Sequence, residues 1–153
     1  MNLIIYTSCF LPFVSGVTNR IKIFLDMNSK YNNFKKIFIL TPDKNAIKKY
    51  KKYAVIKLPF LNIPTNFDNN IHNNIYYANF SNNNIKNIIE YIVVKENITH
   101  FHLYQSDIIS IYFTQIANKF NVKTLYSWHT DIFKTIESNT GKKMTLSKKI
   151  FYN

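Results

Sequence analysis

Two short stretches of the sequence combine residue types that could do chemistry, and the first is Ser15-Gly16-Val17-Thr18. It lies between an apolar run at residues 3–6 and a set of apolar residues with helical spacing (Val17, Ile21, Phe24, Leu25). A tight turn from strand to helix leaves free backbone N–H groups that can bind an anion. Gly16 is one of only two glycines in the chain, which indicates a positive φ or a close approach of the backbone to another group. An ordinary loop glycine is the alternative.

The second stretch is Trp128-His129-Thr130-Asp131, which follows a predicted strand. A histidine in this position could hydrogen-bond a sugar hydroxyl or a phosphate, or transfer a proton near neutral pH. A structural histidine is the alternative. His100 and His102 alternate along another predicted strand, so we expect them on one face with Phe101 on the other. Because no third ligand lies near them in sequence, no metal site is expected.

Other familiar catalytic motifs are missing from the sequence. Cys9 is the only cysteine, so neither an internal disulfide nor a cysteine-rich metal site can form. With two glycines far apart there is no G-x-G-x-x-G motif, and neither a P-loop nor a serine nucleophile elbow is present.

The elements that would position these residues alternate along the chain. Strands are predicted at residues 3–6, 36–41, 53–58, 98–103 and 122–127. Helices are predicted after Gly16, from Ser81, and from about Asp107 to Phe120. This order predicts an α/β fold with a Rossmann-like, doubly wound parallel sheet. Ligands of such sheets bind outside the carboxyl ends of the strands, where Gly16, His102 and His129 are expected.

Two segments are harder to interpret from their composition. Residues 59–80 are rich in asparagine and are predicted to be irregular. Residues 44–52 contain five lysines and are predicted to form an exposed surface segment, with a helix as one option. Contact of these lysines with lipid headgroups is a secondary hypothesis.

The formal net charge of +12 bears on partners and location. Nearly all of the positive charge is lysine, and Arg20 is the only arginine, which argues against a nucleic-acid reader because such proteins depend on bidentate arginine. An anionic membrane surface remains a candidate partner. Neither a membrane-spanning apolar run nor a signal peptide is present, so a cytoplasmic protein, peripheral at the membrane, is expected.

Several stretches together resemble the N-terminal domain of family-4 retaining glycosyltransferases, whose GT-B architecture has two Rossmann-like domains. The order and spacing match from residue 2 to about residue 135. The stretches that carry the resemblance are Phe10-Leu11-Pro12, Ser15-Gly16-Val17-Thr18, Thr41-Pro42-Asp43, Leu58-Pro59-Phe60, residues 98–102, residues 117–122 and residues 127–131.

The resemblance implies a user of nucleotide sugars. Gly16 and Val17 would bind the donor diphosphate through the backbone, and His129 would contact the donor sugar near the reacting carbon as the catalytic residue. Thr18, Thr130 and Asp131 would make contacts on the acceptor side. The resemblance implies neither a metal nor a cofactor beyond the nucleotide-sugar donor. The G-V-T and H-T-D motifs look most like members that glycosylate lipid acceptors, including diacylglycerol and phosphatidylinositol.

The family's second domain, with its acidic E-x7-E element, has no counterpart in the sequence. Residues 1–153 are therefore expected to be a truncated, acceptor-side N-terminal domain that needs a missing or separate C-terminal domain chain for activity. The isolated chain would then be inactive. A non-catalytic remnant or accessory subunit that binds a partner or a membrane surface is the alternative.

Overall fold

The structure is a computed structural model that describes residues 1–64, 74–78, 84–104 and 107–127. His129, Thr130 and Asp131, as well as the predicted helix start at Ser81, lie outside the described residues. The helices are α1 (Gly16–Tyr31), α2 (Asn84–Lys95) and α3 (Ile108–Phe120). The strands are β1 (Asn2–Tyr6), β2 (Lys36–Thr41), β3 (Lys49–Tyr50), β4 (Tyr53–Lys57), β5 (Phe60–Pro64), β6 (Asn74–Ala78), β7 (His100–Leu103) and β8 (Lys123–Tyr126).

Six of these strands form one sheet in the order β3-β4-β2-β1-β7-β8. All of its pairs are parallel except β3 with β4. Ile4 of β1 pairs with Phe38 of β2 on one side and with Phe101 of β7 on the other, which places β1 in the middle of the sheet. The chain therefore adds strands on one side of β1 and then on the other, which creates a switch point between β1 and β7.

Both faces of this sheet are covered. Leu3 and Ile5 of β1 pack with Ile21 and Leu25 of α1 in one buried cluster. Ile4 and Tyr6 pack in a second cluster on the opposite face, with residues of α2 and α3. The period of two along β1 sends alternate side chains to the two clusters. The predicted doubly wound, Rossmann-like α/β fold is confirmed.

Local sequence explains where α1 and α3 begin and end. Ser15 caps α1, since its hydroxyl accepts from the Thr18 N–H at 3.1 Å while the Thr18 hydroxyl accepts from the Ser15 N–H at 2.7 Å. Asp107 caps α3 in the same way. The helices end at Asn32 and Asn121, both with left-handed backbone. Asparagine tolerates this conformation better than most residues, so it takes the place that glycine usually occupies.

Two segments differ from the prediction. Residues 44–52 are not helical, since they contain turns and β3, and Lys51 has φ 52° between β3 and β4. That left-handed residue lets Tyr50 pair with Tyr53 in a tight hairpin. In the segment predicted to be irregular, β5 and β6 form a separate antiparallel pair. This pairing joins residues that are distant in sequence, which composition alone does not reveal.

Candidate functional site

The turn that contains Gly16 lies beyond the carboxyl end of β1. Gly16 is exposed and is the first residue of α1, and its φ is outside the left-handed region. A Cβ built on Gly16 would meet none of the described atoms within 4 Å. The prediction of a positive φ is therefore wrong, and within the described part of the chain nothing crowds this position. Instead, the glycine faces open space, which leaves its backbone accessible.

The amide groups of this turn are only partly used by the protein. The capping box takes up the N–H groups of Ser15 and Thr18. The N–H groups of Gly16 and Val17 donate no hydrogen bond to another residue within the described ranges. The first turn of α1 also has no acidic side chain. The positive end of the helix dipole is therefore not neutralised locally, a favourable situation for an anion.

The first turn of α3 differs in charge. Its cap is the Asp107 carboxylate, which accepts from the Ser110 N–H at 3.1 Å. A carboxylate at this position satisfies amide donors and offsets the helix dipole with its own charge. The neutral Ser15 cap therefore makes α1 the better anion site of the two.

His102 and Ser127 meet at the carboxyl ends of β7 and β8. His102 Nε2 lies 2.6 Å from Ser127 Oγ, and the Ser127 N–H donates to the Leu103 carbonyl at 2.9 Å. The His102 ring packs on Tyr104, with ring centroids 4.2 Å apart, and meets the edge of Phe24 of α1 at 5.9 Å. The end of β8 therefore lies beside the buried His102 of β7, whose ring contacts Phe24 of α1.

Arg20 is a residue to which sequence reasoning assigned no role at the site. Burial raises the pKa of Tyr104 to about 12, and the positive charge of Arg20 acts in the opposite direction, so the guanidinium lies near the phenol. Arg20 is exposed and stands one helical turn after Gly16. Its planar guanidinium can bind an anionic oxygen pair. The sequence contains a signal for this role: Arg20 is the only arginine of the chain, and it lies one helical turn after the predicted anion site.

Tyr6 and Asp107 lie at the same edge of the sheet. The Tyr6 hydroxyl donates to Asp107 Oδ2 at 2.6 Å. Burial raises the pKa of the Asp107 carboxyl, and burial together with the neighbouring carboxylate raises the pKa of Tyr6. Tyr6 is fully buried, so this pair holds the end of β1 against α3 and does not offer a reactive group to solvent.

The remaining predicted residues have mixed positions. Val17 is half-buried. Thr18 is buried, and its hydroxyl takes part in the capping box. A contact of Thr18 with the glycosyl acceptor stays a prediction. His129, Thr130 and Asp131 lie outside the described residues, and their roles stay predictions.

His100 and His102 share one face of β7, as predicted, and the structure shows that α1 covers this face. His100 packs there on Phe34 with ring centroids 5.6 Å apart. Burial and the nearby Lys123 lower the pKa of His100. In the described ranges, no group of three or more His, Cys, Asp or Glu could hold a metal ion. Among the helices that the structure describes, none is long and apolar enough to cross a bilayer.

Comparison with known proteins identifies one informative likeness. The chain is similar in structure to a glycosyltransferase from Rickettsia africae ESF-5, with a TM-score of 0.51 and 16% sequence identity. The match covers 89% of this chain and 33% of that one, so the chain spans about a third of its neighbour's length. At this identity, the likeness shows the fold. No protein-family model and no curated protein matches the sequence.

Proposed function

We propose that this chain is the N-terminal, acceptor-side part of a glycosyltransferase that transfers a sugar from a nucleotide-sugar donor with retention. The observation that carries the proposal is the open first turn of α1, where Gly16 and Val17 present unused N–H groups at the carboxyl edge of the sheet. The likeness in fold to a glycosyltransferase supports it, and so does the resemblance of the G-V-T and H-T-D motifs to the GT-B family.

In this proposal the α1 turn binds the donor diphosphate. The Gly16 and Val17 N–H groups donate to phosphate oxygens, and the helix dipole stabilises the negative charge that develops on the leaving diphosphate. Arg20, one turn further along α1, adds a full positive charge. This arrangement needs no metal ion to hold the diphosphate.

The catalytic histidine of the proposal is His129. It follows Ser127 by two residues, which span at most about 7 Å of chain, and Ser127 lies at the same sheet edge as His102. His129 would contact the donor sugar near the reacting carbon. Thr130, Asp131 and Thr18 are proposed to act on the acceptor side, with a lipid such as diacylglycerol or phosphatidylinositol as the acceptor.

Catalysis in this proposal requires a second Rossmann-like domain on a further segment or a separate chain. The 153-residue chain spans about a third of the structurally similar glycosyltransferase. We therefore expect the isolated chain to bind nucleotide sugars weakly and to show no detectable transfer from UDP-glucose or GDP-mannose to vesicles containing diacylglycerol or phosphatidylinositol. Clear transfer by the pure chain would contradict the requirement for a second domain.

Titration of the labelled chain with UDP, followed by amide chemical shifts, tests the donor site. We expect the Gly16 and Val17 amides to shift, while those of Ile108 and Ile109, in the first turn of α3, stay unchanged because the Asp107 carboxylate occupies that position. The α3 turn thus serves as an internal control. Equal shifts in both turns, or no shift at millimolar UDP, would contradict a diphosphate site at Gly16.

An accessory, non-catalytic role is the second candidate, and β8 is the observation that favours it. All four of its residues are exposed, and among the described strands it pairs only with β7. An unpaired strand edge can bind another chain. A co-purified partner that protects the β8 amides from hydrogen exchange, and that carries no Rossmann-like domain, would favour this role over a split enzyme.

A further inference from the structure

Helix α1 carries apolar side chains on the face that points away from the sheet. Ile23, Met27 and Tyr31 follow one another at intervals of four residues and therefore form one stripe, with exposed fractions of 58%, 55% and 59%. Phe13 and Val14, just before the helix, are also exposed. A helix that packs on a sheet normally directs polar residues outward, so the apolar stripe of Ile23, Met27 and Tyr31 needs another explanation.

A basic segment lies along one flank of the same helix. Lys51 Nζ is 2.6 Å from Asp26 Oδ1, and the Tyr50 hydroxyl donates to the same oxygen at 2.9 Å. Lys52 Nζ donates to Asn32 Oδ1, just after α1, at 3.1 Å. These contacts hold one end of residues 44–52, the lysine segment, beside α1, and Ala46, near its other end, belongs to the buried cluster that contains Ile21 and Leu25 of α1. Its five lysines are all exposed (Lys44, Lys48, Lys49, Lys51 and Lys52).

Among the described residues, exposed negative charge is scarce on this side of the molecule, since Asp43 is buried. Asp26 is the only acidic residue of α1, and Lys51 neutralises it. Glu90 and Glu96 belong to α2 and the residues just after it, where they pair with Lys119 and Lys36. The surface formed by α1 and the lysine segment therefore combines exposed apolar residues with an excess of positive charge.

We propose that this surface docks on an anionic lipid membrane. Residues Gly16–Tyr31 make α1 about 24 Å long, and the helix lies along the face of the sheet, so its outward side can rest flat on a bilayer. The apolar stripe enters the boundary between headgroups and acyl chains, while the lysine segment contacts anionic headgroups. Lys30 Nζ lies 5.3 Å from the centre of the Tyr31 ring, a cation–aromatic pair of amphipathic side chains suited to that boundary.

Charge complementarity favours a membrane over a second copy of the chain. Two copies that met through this surface would pair two positively charged surfaces, each with a lysine segment and Arg20, and charges of like sign oppose association. The N-terminal end of α1 also carries the Gly16 turn, so docking would hold that turn near the membrane. Only this last link rests on the proposed glycosyltransferase function.

Vesicle co-sedimentation of the complete 153-residue chain tests the inference. We expect binding to vesicles of phosphatidylglycerol in phosphatidylcholine, and much weaker binding to phosphatidylcholine alone. Ile23→Gln/Met27→Gln should weaken binding at least about tenfold, because the variant no longer transfers two apolar side chains from water into the bilayer. Lys48→Gln/Lys49→Gln should weaken it by a similar factor through lost attraction to the anionic lipid.

The matched control is Tyr91→Gln/Val94→Gln on α2. These residues are as exposed as the stripe, at 61% and 60%, but belong to the other face of the sheet. We expect the control to bind like the wild type, with circular dichroism showing that all variants are folded.

Several outcomes would overturn the inference. They are a wild-type chain that ignores anionic vesicles, a stripe variant that binds like the wild type, and a control that is weakened equally. Sedimentation velocity detects the competing occupant: a dimer that Ile23→Gln/Met27→Gln abolishes, without vesicle binding, would assign the stripe to self-association. None of these measurements involves a sugar donor, so their outcome is independent of the UDP titration.

Discussion

Tyr6 Oη lies 2.6 Å from Asp107 Oδ2, and this hydrogen bond joins the end of β1 to the cap of α3. Both residues border the loops that form the candidate site, since the loop to Gly16 starts after Tyr6. The bond therefore couples the position of the central strand to the position of α3 at the edge where a ligand would bind.

Removal of the Tyr6 hydroxyl should be costly. Tyr6→Phe removes the hydroxyl that donates to Asp107 Oδ2, and we expect the free energy of unfolding to fall by about 1.5–3 kcal/mol, the range for hydrogen bonds to charged groups. Urea unfolding measures this loss. Tyr126→Phe is the control, because its hydroxyl pairs with Thr114 at an exposed position; we expect a change within about 0.5 kcal/mol. Equal losses in the two variants would contradict the role of the buried pair.

Asp107 should also give a pH dependence with a defined sign. Burial raises the pKa of its carboxyl, although hydrogen bonds from Tyr6, Ser110 and Ile109 act in the opposite direction. The folded state therefore holds this proton more tightly than the unfolded state, whose Asp pKa is about 3.9. The contribution to the free energy of unfolding falls as pH rises from about 4 through the higher folded-state pKa.

Asp107→Asn isolates that contribution, because asparagine remains a good helix cap and does not titrate. We expect wild-type stability to decrease relative to the variant between pH 4 and pH 7, as measured by urea unfolding at both values. A stability difference that does not change with pH would show that the folded state leaves the Asp107 pKa unshifted.

Gly16→Ala separates stability from ligand binding. A Cβ at this position meets none of the described atoms and the φ is outside the left-handed region, so the free energy of unfolding should stay constant or rise by about 0.4–1 kcal/mol. If the diphosphate binds against this backbone, the same methyl group should weaken UDP binding. Unfolding and UDP titration of one sample measure both effects. Unchanged UDP binding would remove Gly16 from the donor site.

His129 can be tested only where catalysis takes place. In an enzyme that contains this chain together with its second domain, we expect His129→Ala to lower kcat about a hundredfold or more, the scale for a positioned catalytic group. His100→Ala is the matched control, because His100 opens β7 and packs on Phe34. Turnover near the wild-type value in the His129 variant would exclude a catalytic role.

The elements with strong local signals were predictable from the sequence. Residues 36–41 form β2 as predicted, because the run is apolar and is followed by Pro42-Asp43. Asp107 and Asn121 bound α3 as expected, since each satisfies backbone groups at a helix end. The shared face of His100 and His102 follows from strand periodicity alone.

Features that depend on distant contacts were not predictable. The hairpin at β3 and β4 needs Lys51 in a left-handed conformation, and the contact of Lys51 with Asp26 on α1 accompanies it. The pairing of β5 with β6 joins two short strands within a segment whose overall Asn-rich composition predicted irregular structure. The contact between His102 and Ser127 depends on the register of β7 with β8, which no local pattern specifies.

Strand β1 has a consequence for how the protein loses its structure. Its alternate side chains belong to both buried clusters, Leu3 and Ile5 to one and Ile4 and Tyr6 to the other. Neither cluster can melt without withdrawing support from a strand that the other requires. The two sides of the sheet should therefore unfold in a single cooperative transition, and the amides of β1 should exchange with solvent only through that global event.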